Sequence, residues 1–157
     1  MLFRSASSSA SASVPASVQV STGQPAEPLG SEQWDMTQIG ATPTGSYRTE
    51  RGSKAVKVGI LDSGVDMTHP DIAANFDLAD SRNFAPNIPA LDGNSTLEPV
   101  GTDPVGHGTA VASLVAAPIN GVGMSGVAPN VTLVDLRVAQ TSGNILIEPF
   151  VDRKSVV

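Results

Sequence analysis

Two side chains of this sequence have the types and the setting for proton-transfer chemistry, the carboxylate of Asp62 and the imidazole of His107. Asp62 opens an Asp-Ser-Gly turn, and His107 lies 45 positions later in a Gly-His-Gly-Thr stretch. A carboxylate that accepts a hydrogen bond from one imidazole nitrogen leaves the other nitrogen as a base near neutral pH. The sequence therefore predicts that these two groups meet.

The stretch before Asp62 is expected to be a strand that positions it. Residues 55–61 form an apolar run, rich in β-branched residues and broken only by Lys57 and Gly59. A run of this length and composition is typical of a parallel strand covered on both faces. Asp62 would then follow the carboxyl end of a core strand, where open α/β sheets form their ligand crevice.

A helix is expected to position His107. Glycines flank the imidazole, and the small residues of 109–117 suit a helix that Pro118 ends, so His107 falls in its first turn. Residues 131–138 then read as a second parallel strand. A strand, a helix and a strand make the crossover unit of an α/β fold, of which this chain holds only the beginning.

His69 is the other histidine, and it competes for the chemical role. Pro70 restricts it to an extended conformation, and it lies seven residues after Asp62 in the same loop, so we expect a structural role for it. A metal-dependent hydrolase built on Asp62, His107 and another acid is a weaker alternative, because the chain has no His-Glu-x-x-His or comparable ligand spacing.

Four motifs in their order resemble the subtilases, the subtilisin-like serine proteases. They are Asp-Ser-Gly at 62–64, His-Pro-Asp at 69–71, Gly-His-Gly-Thr at 106–109 and Gly-Val-Ala-Pro at 126–129. The resemblance runs from about residue 33 to about residue 151. The Gln-Trp-Asp-Met stretch at 33–36 is most similar to the branch of lantibiotic leader peptidases and secreted bacterial relatives.

This resemblance implies an incomplete doubly wound, mostly parallel α/β sheet and a serine-type endopeptidase acting on a protein or peptide substrate. It assigns Asp62 as the carboxylate that orients the histidine and His107 as the general base, while His69 stays structural. The chain order Asp, His, Ser is that of subtilisin. The resemblance also implies secretion, although no convincing signal peptide is visible because Arg4 is not followed by an apolar block.

The serine nucleophile and the oxyanion-hole asparagine of the resembled family have no counterpart in these 157 residues. Neither Ser113 nor Ser125 sits in the Gly-Thr-Ser setting of a subtilase nucleophile. We therefore expect a truncated subtilisin-like fold that is inactive alone. The alternative is an inactive fragment or pseudoprotease that only binds a peptide or protein partner.

The acidic segment between Asp62 and Asp103 is read as a solvated face or a cation site. It holds eight of the fifteen acidic residues and one base, Arg82. The resemblance implies a possible structural calcium site shared by Asp71 and the loop 118–124, with an amide oxygen from Asn120. No further side-chain ligand is evident near the N-terminus, and no cofactor is required for the chemistry.

The remaining composition divides the chain and excludes some partners. Residues 1–30 are a Ser/Ala/Pro-rich segment that we expect to be disordered. Residues 31–151 are expected to form the N-terminal part of a peptidase domain, which opens with a short helix at 31–36. Residues 152–157 are a tail unlike the family. The net charge of -6 argues against nucleic acid, and no apolar run approaches a membrane span. With no cysteine the chain has no disulfide. Substrate specificity and oligomeric state stay open.

Overall fold

The fold is a small parallel sheet with one long helix packed on it. The structure is a computed structural model and describes residues 26–86 and 99–145. The helices are α1 (Trp34–Ile39) and α2 (His107–Ala116), and the strands are β1 (Lys57–Ile60), β2 (Arg82–Asn83) and β3 (Thr132–Arg137). Single 3-10 turns span Ser46–Arg48 and Ala73–Asn75. Within the described ranges no helix is long and apolar enough to cross a bilayer.

The three strands are parallel, in the order β1, β3, β2. β1 pairs with β3 from Lys57 opposite Thr132 to Ile60 opposite Asp135. The predicted strand–helix–strand unit and the α/β class are confirmed. β2 was not expected, because its two polar residues carry no apolar pattern, and it pairs with β3 from Arg82 opposite Leu136 to Asn83 opposite Arg137.

The core lies between α2 and one face of the sheet. Ala112 and Ala116 of α2 are fully buried, and their small side chains let the helix approach the strands closely. From the sheet side, Ile60 and Leu133 pack into the same cluster. Burying a side chain of this size contributes about 1.5–3 kcal/mol, so these contacts hold α2 in place over the ends of β1 and β3.

The expectation that β1 is covered on both faces is wrong for the described residues. Val58 and Ile60 point to the α2 side and belong to the core cluster or pack against it. Gly59, on the opposite face, is exposed, and so is Leu61 just beyond the strand. The physical reason is that α2 packs on the first face of the sheet, and no second helix of the described residues covers the other face of β1.

The first helix begins later than expected. The sequence suggested a start at Ser31, but α1 starts at Trp34 with Gln33 at its N-cap position. Trp34 is 73% exposed, whereas Met36 is the buried residue of this helix. Gln33 is buried because its amide makes two hydrogen bonds with the Ser125 backbone. Its Nε2 donates to the Ser125 carbonyl at 2.8 Å, and its Oε1 accepts from the Ser125 N–H at 3.0 Å.

The residues just before the predicted boundary at residue 30 contact the loop after α2. Leu29 donates its N–H to the Gly123 carbonyl at 2.8 Å, and the Glu27 carboxylate accepts from the Gly121 N–H at 2.9 Å. Residues 26–30 are therefore held against the loop that follows α2. The rest of the predicted disordered segment and the predicted C-terminal tail lie outside the described residues.

Candidate active site

Asp62 lies at the carboxyl end of the sheet, two residues after Ile60, the last residue of β1. Its backbone carbonyl accepts hydrogen bonds from the N–H groups of Val138 at 2.9 Å and Ala139 at 3.2 Å, just after the end of β3. The ends of two neighbouring parallel strands are thus tied together at this residue. This is the edge where open α/β sheets place their ligand sites.

Two glycines allow α2 to approach the turn after β1. Gly64 has φ +117°, and a Cβ built there would lie 2.2 Å from the Thr102 carbonyl oxygen. A Cβ at Gly108 would lie 2.1 Å from the Gly64 carbonyl oxygen and 3.0 Å from the Asp62 Cβ. Only glycine fits at either position, and the resulting contact brings the first residue of α2, His107, beside Asp62.

The two side chains predicted to meet do so. His107 Nδ1 lies 2.7 Å from Asp62 Oδ1 and 2.9 Å from Asp62 Oδ2. Asp62 Oδ1 also accepts the N–H of Ser63 at 2.7 Å, which fixes the plane of the carboxylate. The Asp62 side chain is 19% exposed and that of His107 68% exposed, so the carboxylate is sheltered while the imidazole faces outward.

The environment strengthens His107 as a base. The hydrogen bond that His107 donates to Asp62, and then the negative charge of Asp62, raise the pKa of His107 above the ordinary histidine value, and the charge of Asp103 acts in the same direction. Because the carboxylate occupies Nδ1, Nε2 is the nitrogen that can take a proton from another group. The pair can therefore abstract a proton at Nε2 and stabilise the imidazolium that forms.

Sequence reasoning missed Asp103, which was counted only as part of an acidic segment. Its Oδ1 accepts from the Ser63 hydroxyl at 2.8 Å and the Gly106 N–H at 2.9 Å, and its Oδ2 accepts from the Thr109 N–H at 2.8 Å and hydroxyl at 2.6 Å. Burial acts to raise the pKa of Asp103, but the hydrogen bonds from Thr109, Gly106 and Ser63 outweigh it and leave the pKa below its usual value. An aspartate four residues before His107, ahead of a helix start, was the signal available.

The competing groups have other partners. The backbone carbonyl of His69 accepts from the N–H groups of Ile72 and Ala73, both at 3.0 Å, in the 3-10 turn that follows it. The Ser113 hydroxyl donates to the Thr109 carbonyl at 2.9 Å within α2. The Ser125 hydroxyl is buried and lies 3.5 Å from the Gln33 amide oxygen. These are local, structural contacts.

The loop predicted to hold calcium brings two carboxylates together. Asp71 Oδ2 accepts the Met124 N–H at 2.8 Å, while Asp71 Oδ1 and Glu27 Oε2 are buried with no hydrogen-bond partner among the described residues. Burial raises the pKa of Asp71, and the charge of Glu27 adds to this. Asn120 Oδ1 accepts the Val122 N–H at 2.8 Å. No group of three or more His, Cys, Asp or Glu side chains that could hold a metal occurs in residues 26–86 and 99–145.

Comparison with known proteins agrees with this geometry. The model of the subtilase family matches residues 53–148. The alkaline protease of Alkalihalobacillus alcalophilus is 37% identical over 112 residues, which are 71% of this chain and 25% of that protein. Subtilisin Savinase of Lederbergia lenta is 36% identical over 112 residues, 71% of this chain and 35% of that protein.

A solved structure of proteases from Pseudoalteromonas arctica superposes with a TM-score of 0.68 at 28% identity, over 82% of this chain and 42% of that one. The chain thus spans about a quarter to a third of the length of the two proteases it matches in sequence. Its assignment to the leader-peptidase branch stays a prediction. With the family model covering well over half of its residues, the chain belongs to the subtilase family.

Proposed function

We propose that this chain supplies the orienting carboxylate, Asp62, and the general base, His107, of a serine-type endopeptidase. The observation that carries the proposal is the contact of His107 Nδ1 with both oxygens of Asp62, at 2.7 and 2.9 Å. The position of Asp62 beyond the carboxyl end of β1 and the exposure of the His107 imidazole support the same assignment.

In this mechanism His107 moves a proton twice. Its Nε2 takes the proton of a serine hydroxyl, supplied by the remainder of a complete subtilase domain, as that oxygen attacks the peptide carbonyl. The same nitrogen then delivers the proton to the leaving amine. Asp62 holds the Nδ1–H tautomer and stabilises the imidazolium between the two transfers.

A chimera tests the assignment. Residues 53–148 would replace the matching segment of Lederbergia lenta subtilisin, whose own C-terminal part carries the nucleophile, and casein hydrolysis would be measured. We expect an active chimera, a loss on the order of 10⁴-fold in kcat for Asp62→Asn and a larger loss for His107→Ala. His69→Ala serves as the matched control and should retain activity.

Two results would count against the assignment. One is an active chimera in which Asp62→Asn or His107→Ala leaves kcat within tenfold of the parent. The other is an inactive His69→Ala chimera with normal folding, which would move the general base to the other histidine.

The substrate proposed for the complete protein is a protein or peptide. The complete protein is proposed to act outside the cell, as the family resemblance implies. The exposed imidazole supports a large substrate, because a polypeptide must reach His107 Nε2 from the surface. Culture fractionation with an antibody to residues 26–145 tests the location, since retention inside the cell would contradict it.

We also propose that Asp71 and Glu27 hold a structural calcium ion. Asp71 Oδ1 and Glu27 Oε2 support this, because both are buried and have no hydrogen-bond partner within residues 26–86 and 99–145. Burying uncompensated carboxylates is costly, and carboxylates and backbone carbonyls are the ligands calcium prefers. Glu27 is the N-terminal side-chain donor that the sequence did not reveal. The ion would supply charge compensation and tie residues 26–30 to the loop after α2.

Thermal unfolding of the full chain tests the calcium site. We expect millimolar calcium to raise Tm by on the order of 5 °C relative to EDTA, and the effect to disappear in Asp71→Asn and Glu27→Gln. Asp35→Asn removes the same charge from α1 and is the control. Equal melting curves with calcium and with EDTA would contradict the proposal.

A further inference from the structure

The carboxylate of Asp103 joins the turn after β1 to the start of α2. Its Oδ1 accepts from the Ser63 hydroxyl on the turn at 2.8 Å and from the N–H groups of Val105 at 3.2 Å and Gly106 at 2.9 Å. Its Oδ2 accepts both the N–H and the hydroxyl of Thr109 in the first turn of α2. One side chain therefore contacts the segments on both sides of His107.

Ser63 completes the connection. Its hydroxyl donates to Asp103 and accepts the Gly108 N–H at 2.9 Å, and the serine is buried. The residue before it is Asp62 and the residue before Gly108 is His107. Each half of the Asp62–His107 pair is thus adjacent in sequence to a residue held by the Ser63–Asp103 contact.

The helix start has no cap of its own. Gly106, at the N-cap position, has φ +86° and no side chain, and the unpaired N–H groups of the first turn are satisfied instead by Ser63 and Asp103. A negative charge at this end also interacts favourably with the helix dipole. Because His107 is the first residue of α2, the direction of its side chain depends on this external cap.

We infer that Asp103 is a positioning residue, which acts through Ser63 and the first turn of α2 to hold the His107 ring against Asp62. The inference rests on the proposed function of the pair. The charged groups that act on His107 are Asp62, from the turn after β1, and Asp103, from the segment before α2. An Asp103 that acted on His107 only through its charge would leave the pKa of the imidazole unchanged when its link to Ser63 is removed and the charge is kept.

Hydrogen exchange at the histidine ring C2 position, followed by mass spectrometry against pH, tests the inference on the full chain in dilute solution. Trypsin cuts after Arg82 and Arg137 place His69 and His107 in separate peptides, so His69 is an internal reference. The variants are Asp103→Asn, Ser63→Ala, Asp62→Asn and the distant charge control Asp35→Asn.

We expect Asp62→Asn to lower the pKa of His107 most, and Asp103→Asn and Ser63→Ala each to lower it by a smaller amount. The exchange profile of His69 in every variant, and that of His107 in Asp35→Asn, should match the profiles of the unchanged chain. Ser63→Ala is decisive because it keeps the Asp103 charge and removes only the link, and it also covers the case in which Asp103→Asn fails to fold.

Two outcomes separate the inference from the proposed function. If Asp62→Asn lowers the pKa of His107 but Ser63→Ala leaves it unchanged, the positioning role of Asp103 is overturned and the pair stands. If the unchanged chain shows no raised His107 pKa and Asp62→Asn has no effect, the pair itself fails, and the positioning role with it.

Discussion

At the scale of single residues, three carboxylates close to the sheet edge have three different environments. Asp62 contacts an imidazole, and Asp103 accepts hydrogen bonds from backbone and side-chain donors. Asp135, on β3, is fully buried; its Oδ2 accepts the Gly101 N–H at 3.2 Å, and its Oδ1 has no partner among the described residues. Burial raises the pKa of Asp135 to about 6. Their chemistry is set by contacts and not by residue type.

Asp135 predicts a pH dependence of folding. Its pKa is about 6 in the folded chain against the ordinary aspartate value of 3.8, so between these values the folded state binds a proton that the unfolded state has released. The contribution of Asp135 to the free energy of unfolding should therefore fall as pH rises from about 4 to about 6, by on the order of 2 kcal/mol. Urea unfolding of the full chain against pH, compared with Asp135→Asn, measures this contribution.

The unchanged chain should lose this contribution as pH rises through 6, whereas Asp135→Asn has no carboxyl group there to lose it. The unfolding free energy of the variant should therefore rise relative to that of the unchanged chain. The control Asp35→Asn removes the same charge from α1 and gives the background against which the Asp135→Asn difference is read. A constant difference for Asp135→Asn would mean that this carboxyl group is not held protonated by burial.

At the scale of elements, α2 is fixed at both ends by groups that are not its own. Ser63 and Asp103 cap its first turn. At its other end, Gly126 donates its N–H to the Ala117 carbonyl at 2.9 Å, and the Tyr47 hydroxyl donates to the Gly126 carbonyl at 2.6 Å. The Gly-Val-Ala-Pro motif thus acts as the C-terminal clamp of the helix that carries His107.

Gly108→Ala tests the contact between α2 and the turn after β1. The new Cβ would lie 2.1 Å from the Gly64 carbonyl oxygen, and neither backbone can yield cheaply, so we expect a loss of about 3 kcal/mol or more in unfolding free energy. Gly106→Ala is the matched comparison, because its Cβ meets nothing within 4 Å and adds only the strain of φ +86°, about 1 kcal/mol.

Denaturant unfolding of both variants measures the two losses. In Gly108→Ala the raised pKa of His107 should also be lost, because the helix start must move away from Asp62. Equal losses in the two variants would show that α2 does not need close backbone contact at this point.

At the scale of the whole molecule, both residues of the proposed Asp62–His107 pair lie inside the segment that the family model matches. The family model matches residues 53–148, and the chain corresponds to 25% of the alkaline protease and 35% of subtilisin Savinase. Asp62 and His107 meet without contributions from any further part of a subtilase. The pair is therefore assembled by β1, α2, β3 with the residues just after it, and the connecting turns.

The 157 residues taken alone should hydrolyse no peptide. We expect no serine hydroxyl of this chain beside His107 Nε2, so the base has no nucleophile to deprotonate. In subtilisin, loss of the serine costs on the order of a millionfold in kcat. Incubation of the purified chain with casein and with a serine-directed fluorophosphonate, beside subtilisin Savinase, measures this. Casein cleavage above buffer, or a label on any serine of this chain, would contradict it.

The sequence by itself determined the central pairing and the elements that carry it. The apolar run before Asp62, the glycines around His107 and the second apolar run at 131–138 are local patterns, so β1, α2 and β3 could be predicted together with the α/β class. Four motifs in one order were enough to indicate the family. These features depend on neighbours in the chain, which a sequence displays directly.

The tertiary structure alone decided what depends on residues distant in sequence. Asp103 becomes a helix cap only because Ser63 is brought to it, Glu27 faces the loop after α2 although it lies in a segment expected to be disordered, and β2 exists only through its pairing with β3. Gln33 is buried and Trp34 exposed because an amide can clamp the Ser125 backbone and an indole cannot. Such roles are set by partners that local composition does not encode.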